Sequence, residues 1–326
     1  MSLLLLINLQ SLSNYMADPE INTFVVSDSE AGSRLDKLLS QRYQGQQSRS
    51  YFQKLIRNEL VLLNGRPVKK QVRPESGDEV EVEFALTPEV NLHPENLPLE
   101  VLYEDDHLII INKSAGMVVH PAPGNWTGTF VNALLYHCGD SFQAEASLRP
   151  GIVHRLDKNT SGCLVAAKNL HVQQRLVELF SLRKIYKEYI AVCVGNPGDG
   201  TVDVPIGRHP VHRKQMAVIE SGGRHAVTHY STLAHKDRLS VVKLVLETGR
   251  THQIRVHLRH RGMPILGDCV YGTEAMNRQY SASRQMLHAY RLRFMHPITG
   301  EKLDVMAPIP VDMRLQIARV SDLLSL

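Results

Sequence analysis

Apolar and polar residues alternate differently in the two parts of this chain. In the first part, the pattern predicts short helices and short strands. In "SRSYFQKLIRNEL", Phe52, Leu55 and Ile56 share one face of a helix, and Ser48 is placed to cap its N-terminus. The Asn-Gly pair in "VLLNGRPV" predicts a β-hairpin, and the alternation in "GDEVEVEFAL" predicts a strand with one buried face. These elements predict a small α+β module.

The longer part of the chain is dominated by strand patterns. Strands are predicted at "HLIIINK", "CLVAAK", "KEYIAVCVG", "AVTHYSTLA" and "LSVVKLVLETG", and a closing hairpin at "MLHAYRLRFMHPITGEKLDVMAP". Helices are expected at about 128–138, 170–183 and 251–261. Many strands with few helices predict a mixed, mainly antiparallel sheet with helices packed on it, so the expected fold class is α+β.

Composition suggests where the domains begin and end. Residues 87–100 contain three prolines and little periodicity, which predicts a linker between a module at 21–86 and a larger domain at 101–326. The opening "MSLLLLINLQ" lacks the basic region and cleavage pattern of a signal peptide and is too short to span a membrane. Residues 1–20 are expected to be a disordered extension, with an upstream translation start as the alternative for residues 1–15. Four widely spaced cysteines indicate reduced thiols, so we expect a cytoplasmic protein with no membrane partner.

Charge is distributed unevenly although the net charge is only +4. Residues 31–73 carry ten Lys and Arg against two acidic residues, a balance of +8, whereas residues 74–106 hold eleven Asp and Glu and no Lys or Arg. A compact basic block predicts a polyanion-binding module. Its candidate binding residues are Arg34, Lys37, Arg49, Lys54, Arg57 and Lys69.

The stretch "GIVHRLDKNTSG", residues 151–162, raises the question of what Asp157 does. An aspartate in such a loop is commonly a turn former. It can instead act as a nucleophile if a nearby guanidinium keeps it ionised, and Arg155, Arg250 and Arg255 are candidates. The residues alone leave a structural Asp–Arg pair and a covalent catalyst as alternatives.

A second basic stretch, "ETGRTHQIRVHLRHRG", predicts a helix that Thr251 caps and Gly262 ends. Arg255 and Arg259 share one face of this helix. Its three histidines raise the possibility of a metal site, but no acidic or cysteine ligand completes a set, and the arginines would repel a cation. The alternative is a basic helix end at a solvated or RNA-facing surface. The chain also lacks the common phosphate-binding, dinucleotide-binding and hydrolase motifs, so no metal and no cofactor are expected.

Four motifs in order resemble the RluA family of pseudouridine synthases. They are "INKSAGMVVHP", "HRLDKNTSG", "KEYIA" and "GRTHQIRVHL". The basic module is similar to the alpha-L RNA-binding fold, and the resemblance covers about residues 20–315, closest to the RluD branch. It implies a pseudouridine synthase catalytic domain with a mainly antiparallel mixed sheet, acting on large-subunit ribosomal RNA.

The resemblance also implies a role for each motif residue. Asp157 would be the nucleophile and Arg255 the cation that pairs with it. Tyr189, which the pattern alone leaves as a core residue or a base-stacking one, would lie against the target base and take part in proton transfer. Arg155 would enter the space left by a flipped uridine. The other implied RNA contacts in this stretch are His154 and Thr160.

Several points stay open at this stage. We expect a monomer whose partners are ribosomal RNA and pre-ribosomal particles, while a transfer-RNA target and attack at either the ribose or the base remain alternatives. A non-catalytic RNA-binding factor is a rival from another class. A glycosidase-type hydrolase is a weaker rival, because it would need a second carboxylate in the site.

Overall fold

The computed structural model describes residues 20–43, 49–84, 92–121, 125–139, 142, 150–212 and 215–321. Ser48 and all but the last residue of the expected extension 1–20 lie outside this part of the chain. So do residues 87–91 of the expected linker, whereas residues 92–100 are described and form no helix or strand. Across the described residues, no helix has the length and apolar character needed to cross a membrane.

The N-terminal part packs two helices on a small antiparallel sheet. Its elements are β1 (Glu20–Val25), α1 (Leu35–Arg42), α2 (Arg49–Arg57), β2 (Val61–Leu63), β3 (Arg66–Pro67) and β4 (Glu79–Phe84), with strand order β1-β4-β2-β3. The predicted apolar face of α2, formed by Phe52, Leu55 and Ile56, is buried. Asn64 and Gly65, both with positive φ, join β2 to β3 as the predicted hairpin turn. This part therefore confirms the predicted α+β module.

The larger part is organised around a mixed sheet with nine described strands. They are β5 (Val101–Glu104), β6 (Leu108–Lys113), β7 (Ser161–Ala167), β8 (Tyr186–Val194), β9 (Gly200–Asp203), β12 (Val227–Lys236), β13 (Leu239–Leu246), β14 (Leu287–Met295) and β15 (Lys302–Met306). The order is β5-β6-β7-β14-β8-β13-β12-β9, with β15 paired to β14, and β10 (Ile206–Arg208) pairs separately with β11 (Met216–Val218).

Helices pack on this sheet. They are α3 (Phe130–Cys138), α4 (Leu170–Ser181), α5 (Gln253–His260), α6 (Glu274–Gln279) and α7 (Val311–Ile317). The three predicted helices are confirmed. The helices α6 and α7 were not predicted, because six or seven residues are too few for a helical period to emerge. Alternate residues of β6 and β7 enter hydrophobic cores on opposite sides of the sheet, so its central strands are covered on both faces.

One parallel contact in the sheet positions the loop that carries Asp157. Strand β14 runs parallel to β7 where His288 and Ala289 lie opposite Ser161 and Gly162, whereas the other described strand pairs of this sheet are antiparallel. Gly162 has φ +112°, and a Cβ there would lie 2.2 Å from the Ala289 carbonyl oxygen. Only glycine allows this approach. The predicted mainly antiparallel α+β fold is confirmed.

Candidate active site

The loop that precedes β7 forms one wall of a cavity of ≈ 130 Å³. The start of β8 and the segment that joins β13 to α5 form the other walls. The sequence candidates that line this cavity are His154, Arg155, Asp157, Thr160, Tyr189, Arg250 and Arg255. The structure thus gathers residues from three separate motifs around one space.

Asp157 and Arg255 form an ion pair in this cavity. The Nη1 of Arg255 donates to Oδ2 of Asp157 at 2.8 Å, so the predicted proximity of the two side chains is confirmed. On its other side, Arg255 donates from Nε and Nη2 to the carboxylate of Asp268 at 2.7 and 3.0 Å. Asp268 also accepts the backbone N–H groups of Val270 and Tyr271. Asp268 therefore fixes the guanidinium through Nε and Nη2, and the remaining nitrogen, Nη1, donates to Asp157.

Asp268 was missed by the sequence analysis. It is 1% exposed, and it follows a glycine in "LGDCVYG", where an aspartate indicates only a turn. Nothing in the local pattern shows that its carboxylate meets Arg255, thirteen residues earlier. Its partner, rather than its position in a turn, identifies it as part of the site.

The charges around Asp157 keep it ionised. Burial alone would raise the pKa of its carboxyl group, but His252 when protonated, Arg255 and Arg155 favour the charged form, and the pKa lies below its usual value. Burial in turn lowers the pKa of His252 in spite of the nearby Asp157 carboxylate. His252 is therefore neutral at neutral pH, and the lasting positive charges beside Asp157 are Arg255 and Arg155.

His252 is held in one orientation beside Asp157. It precedes α5 in a left-handed conformation, φ 56°, which is strained for a residue with a side chain. Tyr271 accepts the Met216 N–H at 2.7 Å, and its hydroxyl group forms a hydrogen bond with Nδ1 of His252 at 2.8 Å. The other ring nitrogen, Nε2, lies 4.0 Å from Oδ2 of Asp157. The imidazole thus turns its Nε2 edge toward the carboxylate.

Buried cations hold the backbone of the Asp157 loop. The Lys113 ammonium, 0% exposed, donates to the carbonyls of Ser114, Met117 and Lys158 at 2.8, 3.0 and 3.1 Å. Burial lowers the pKa of Lys113 to about 7, although the charge of Asp157 opposes this shift. These bonds tie the turn after Asp157 to the end of β6. Neither the lysine nor its acceptors could be recognised from the sequence, because carbonyl groups carry no residue identity.

Thr160 and Arg284 complete the support of this loop. The Thr160 backbone N–H donates to the Asp157 carbonyl, and its hydroxyl accepts a hydrogen bond from Gln285 at 3.3 Å. Arg284 donates to the Asn159 carbonyl and forms a two-point ion pair with Asp312 of α7. The side chain of Thr160 is 2% exposed, so its polar atom serves the loop.

Tyr189 lies at the floor of the cavity. On β8 it sits between Leu244 of β13 and Ala289 of β14, and it is 9% exposed. Burial, and then the charge of Asp157, raise the pKa of its phenol, which is therefore neutral at neutral pH. The residue is both part of the core and part of the cavity wall, so the two alternatives from the pattern are compatible.

His154 and Arg155 are neighbouring residues of the cavity lining. The Nε2 of His154 accepts the Val165 N–H at 3.0 Å, and its ring stacks on Phe180 with 4.7 Å between centroids. Burial, helped by the positive charge of Lys187, lowers the pKa of His154 to about 3. The Nε of Arg155 has no hydrogen-bond partner in the described part of the chain. His154 is thus a fixed neutral ring, and Arg155 a less constrained cation.

The three histidines of the basic stretch have separate partners. His252 faces Asp157 and Tyr271, and His257 is buried with its ring nitrogens at Thr228 and the Val204 carbonyl. His260 is exposed at the end of α5. Within the ranges described, no group of three or more His, Cys, Asp or Glu side chains is arranged to hold a metal ion.

The basic residues of the N-terminal module mostly face solvent. Those exposed are Lys37, Arg49, Lys54, Arg57 and Lys69, and Arg34 is half-buried. Arg34 and Arg49 both form ion pairs with Asp36 at 3.1 Å, and Asp36 is fully buried. Gln53 donates a further hydrogen bond to the same carboxylate at 2.7 Å. Two of the candidate residues therefore also serve the packing of α1 against α2.

An ionised aspartate held by a fixed arginine in a cavity, together with a basic α+β module, is the arrangement expected of an enzyme that modifies RNA. Comparison with known proteins makes this specific. Residues 107–260 match the RNA pseudouridylate synthase family and residues 33–80 match the S4 domain. The chain belongs to the RNA pseudouridine synthase family, as its motifs predicted, and its N-terminal module is an S4 domain.

Curated relatives extend over nearly the whole chain. "Ribosomal large subunit pseudouridine synthase D" of Xanthomonas campestris is 42% identical over 308 residues, covering 91% of this chain and 92% of the relative. The Escherichia coli protein of the same name is 42% identical over 303 residues, covering 89% and 91%. Among solved structures, "Human RNA Pseudouridylate Synthase Domain Containing 4" has a TM-score of 0.55 and 26% identity, covering 68% of this chain and 94% of that one.

Proposed function

We propose that this protein isomerises uridines of large-subunit ribosomal RNA to pseudouridine, with Asp157 as the catalytic carboxylate. The names of the relatives from Xanthomonas campestris and Escherichia coli support the substrate. The observation that carries the mechanism is the Arg255 guanidinium, which is fixed by Asp268 and donates to Asp157. An aspartate kept ionised in this way can act without a cofactor.

The reaction breaks the bond between the ribose and N1 of uracil and forms a bond from the same ribose carbon to C5. Asp157 attacks either the ribose or the base, and the ring turns once its bond from N1 to the ribose is broken. The bond to Asp157 breaks again when C5 bonds to the ribose carbon, which regenerates the carboxylate, and N1 gains a proton as C5 loses one. Arg255 keeps the carboxylate charged and oriented until attack. Tyr189, a neutral phenol beside Asp157, lies against the base and takes part in moving the proton that leaves C5.

A uridine must leave its stack before it can enter the cavity. Extruding a base costs a few kcal/mol, which is least for a base in a loop. Arg155 enters the vacated space, and its unpartnered Nε within the described residues supports this role. His154 contributes the flat face of its ring, and Thr160 contributes to the cavity wall a hydroxyl group that accepts a hydrogen bond from Gln285.

The N-terminal module adds electrostatic affinity that carries no base identity. Its proposed phosphate-facing residues are Arg34, Lys37, Arg49, Lys54, Arg57 and Lys69. We place this domain at residues 21–86, followed by the linker 87–100 and the catalytic domain 101–326, after an extension at 1–20. The protein acts in the cytoplasm as a monomer, on ribosomal RNA or on pre-ribosomal particles.

A hydrolase that works with two carboxylates receives less support. The second carboxylate near Asp157 belongs to Asp268, which is buried behind Arg255 and does not line the cavity. A glycosidase needs both carboxylates to face the scissile bond.

The function is tested by mapping pseudouridines in ribosomal and transfer RNA from cells that lack the protein. The expected result is the loss of specific pseudouridines from large-subunit ribosomal RNA, restored by the wild type and not by Asp157→Asn. We expect the rate of this variant to fall by about 10⁴-fold or more. Loss confined to transfer RNA would contradict the proposed substrate, and restoration by Asp157→Asn would contradict the proposed nucleophile.

A further inference from the structure

Lys187 is a buried cation in the active-site cavity for which the proposed chemistry has no use. It lies on β8 two residues before Tyr189 and is 6% exposed. Its Nζ donates one long hydrogen bond, 3.5 Å, to the Thr248 carbonyl, and lies 6.0 Å from the centre of the Phe180 ring. In the described ranges of the chain, no carboxylate forms an ion pair with it.

Lys113, the other buried lysine near Asp157, provides a comparison, because its hydrogen bonds are complete. Lys113 has three carbonyl acceptors at 2.8 to 3.1 Å, so every proton of its ammonium form has a partner. Lys187 is buried to a similar degree with one marginal acceptor. An ammonium in that position is unfavourable without a further anion or acceptor. Lys187 therefore has hydrogen-bond donors and a positive charge that the described residues do not satisfy.

The charges that face Lys187 add to this imbalance. Arg183 and Arg250 are the charged neighbours, and burial together with these two cations lowers the pKa of Lys187 to about 8. Arg250 and Lys187 line the same cavity. Arg183 is paired with Glu247 at 3.3 Å, but Lys187 itself has no acidic partner in the described part of the chain, so its charge attracts an anion into this end of the cavity.

The position of Lys187 relative to Tyr189 indicates which anion. Residues two apart on a strand point to the same face and are separated by about 6.6 Å. A uracil ring against Tyr189 would have the phosphates of its own nucleotide at a similar distance. Lysine binds phosphate as a compact point charge, without the planar geometry that arginine requires.

We propose that Lys187, with Arg250 beside it, binds a backbone phosphate adjacent to the flipped uridine. This inference rests on the proposed function, because it takes the cavity to hold a uridine of an RNA chain. Lys187 and Asp157 then grip the same nucleotide at two ends, the phosphate and the base. The cavity selects a nucleotide within a phosphodiester chain over a free nucleoside.

The test is a double-mutant cycle between the lysine and the phosphate. The probe is an RNA hairpin that contains the uridine mapped in the deletion experiment, with each neighbouring phosphate replaced in turn by a neutral methylphosphonate. Binding is measured in the Asp157→Asn background, where no turnover occurs. One replacement should weaken binding to the protein with Lys187 intact by about 10- to 100-fold. The same replacement should have almost no effect on the Lys187→Met variant.

Two further variants make the result specific. Lys187→Arg keeps the charge and should remain sensitive to the replacement. Lys236→Met removes an exposed lysine at the other end of the β12–β13 hairpin, opposite Leu239 and about 23 Å along β13 from Leu246 at the cavity. It should behave like the protein with Lys187 intact. Lys187→Met should be no less thermally stable than its parent, since it removes a poorly compensated buried charge.

The outcomes separate the two proposals. Suppose the protein isomerises the hairpin, but each methylphosphonate replacement weakens RNA binding by Lys187→Met as much as RNA binding by the protein with Lys187 intact. The proposed phosphate contact is then wrong and the proposed function stands. The conclusion is the same if neither replacement changes RNA binding by the protein with Lys187 intact. If the protein with intact Asp157 does not isomerise any uridine of the RNA, the proposed function fails and the inference fails with it.

Discussion

Two clusters of aspartate and arginine in this protein have opposite arrangements. In the S4 domain, one fully buried carboxylate, Asp36, lies between Arg34 and Arg49, whose side chains are 37% and 46% exposed. In the cavity, one buried guanidinium, Arg255, lies between Asp157 and Asp268. The first cluster presents positive charge to solvent, whereas the second presents a carboxylate to a cavity.

The difference shows that the buried member of an ion-pair cluster decides its chemistry. Asp36 is enclosed by its partners, so it can only stabilise the fold. Asp157 keeps 19% of its side chain exposed while Arg255 holds it ionised, so it can meet a ligand. Similar residue types therefore form a structural unit in one domain and a reactive unit in the other.

Among the substitutions that test this comparison, Asp268→Asn is expected to have the largest effect, because it removes the carboxylate that holds Arg255 on the side away from the cavity. Arg255 would lose one of the two carboxylates that balance its charge and one of the two hydrogen bonds that fix it from the side of Asp268, because the asparagine keeps a single oxygen acceptor. Removing one partner of a buried pair costs about 3–5 kcal/mol, and a misplaced catalytic group costs about 10²-fold in rate. Single-turnover rates and urea unfolding would measure the two losses.

A matched control uses the two-point pair of Arg291 and Asp304 on the β14–β15 hairpin, which is more open to solvent. Asp304→Asn removes the same kind of contact away from the cavity, and the rate should not change. A wild-type rate for Asp268→Asn would contradict the positioning of Arg255 by Asp268.

An intermediate effect is expected from Asp36→Asn, confined to stability. Burial alone would raise the pKa of Asp36, but hydrogen bonds from Arg34, Gln53 and Arg49 lower it below the usual value. The variant should lose about 1–3 kcal/mol at neutral pH, with an unchanged rate at saturating RNA. The fluorescence of Trp126, whose ring lies 5.5 Å from that of Phe84, can follow unfolding.

The pH dependence sharpens this prediction. A carboxyl group whose folded pKa is lowered contributes stability that is fully present above its unfolded pKa of about 3.9. The difference in the free energy of unfolding between the wild type and Asp36→Asn should therefore be constant from pH 8 to 5. It should shrink as the pH falls below about 4. An advantage that disappeared between pH 7 and 5 would show that another group is responsible.

The smallest effects are expected from two basic residues of the S4 domain. Lys54→Gln and Arg49→Gln should each weaken RNA binding a few-fold and reduce the salt dependence of log K by about 0.7 to 0.9. Only Arg49→Gln should also lower stability, because Asp36 loses a partner. Filter binding at several salt concentrations and thermal unfolding would compare them. Equal stability of the two variants would show that the Asp36 cluster does not depend on Arg49.

Local pattern was enough wherever the signal lay within a few residues. The apolar face of α2, the Asn64–Gly65 turn and seven of the nine described strands of the large sheet, all but β5 and β9, were predicted, because side chains repeat with the period of the element. The elements that were missed include α6, α7 and the pair β10–β11, which are each seven residues or shorter. Their stability depends on what they pack against, and this is not encoded locally.

The residues of the site likewise fall into those that the sequence predicted and those that it did not. The motifs identified Asp157, Tyr189 and Arg255 as candidates, but Asp268, Lys113 and Lys187 were missed. Asp268 was indistinguishable from a turn former. Lys113 bonds to carbonyl groups up to 45 residues away, and Lys187 is notable only because its surroundings lack an acid. A sequence shows which side chains exist, not which of them are left without partners.

The sequence by itself determined the family, the α+β fold class, the basic module and the aspartate with its arginine, because these depend on residue type, spacing and order. The tertiary structure alone decided which member of each Asp–Arg cluster is buried, how Asp268 fixes Arg255, and which lysine in the cavity has no anion. Burial and partnership arise from contacts between distant segments. They set the charge state of Asp157, and the charge state sets the chemistry.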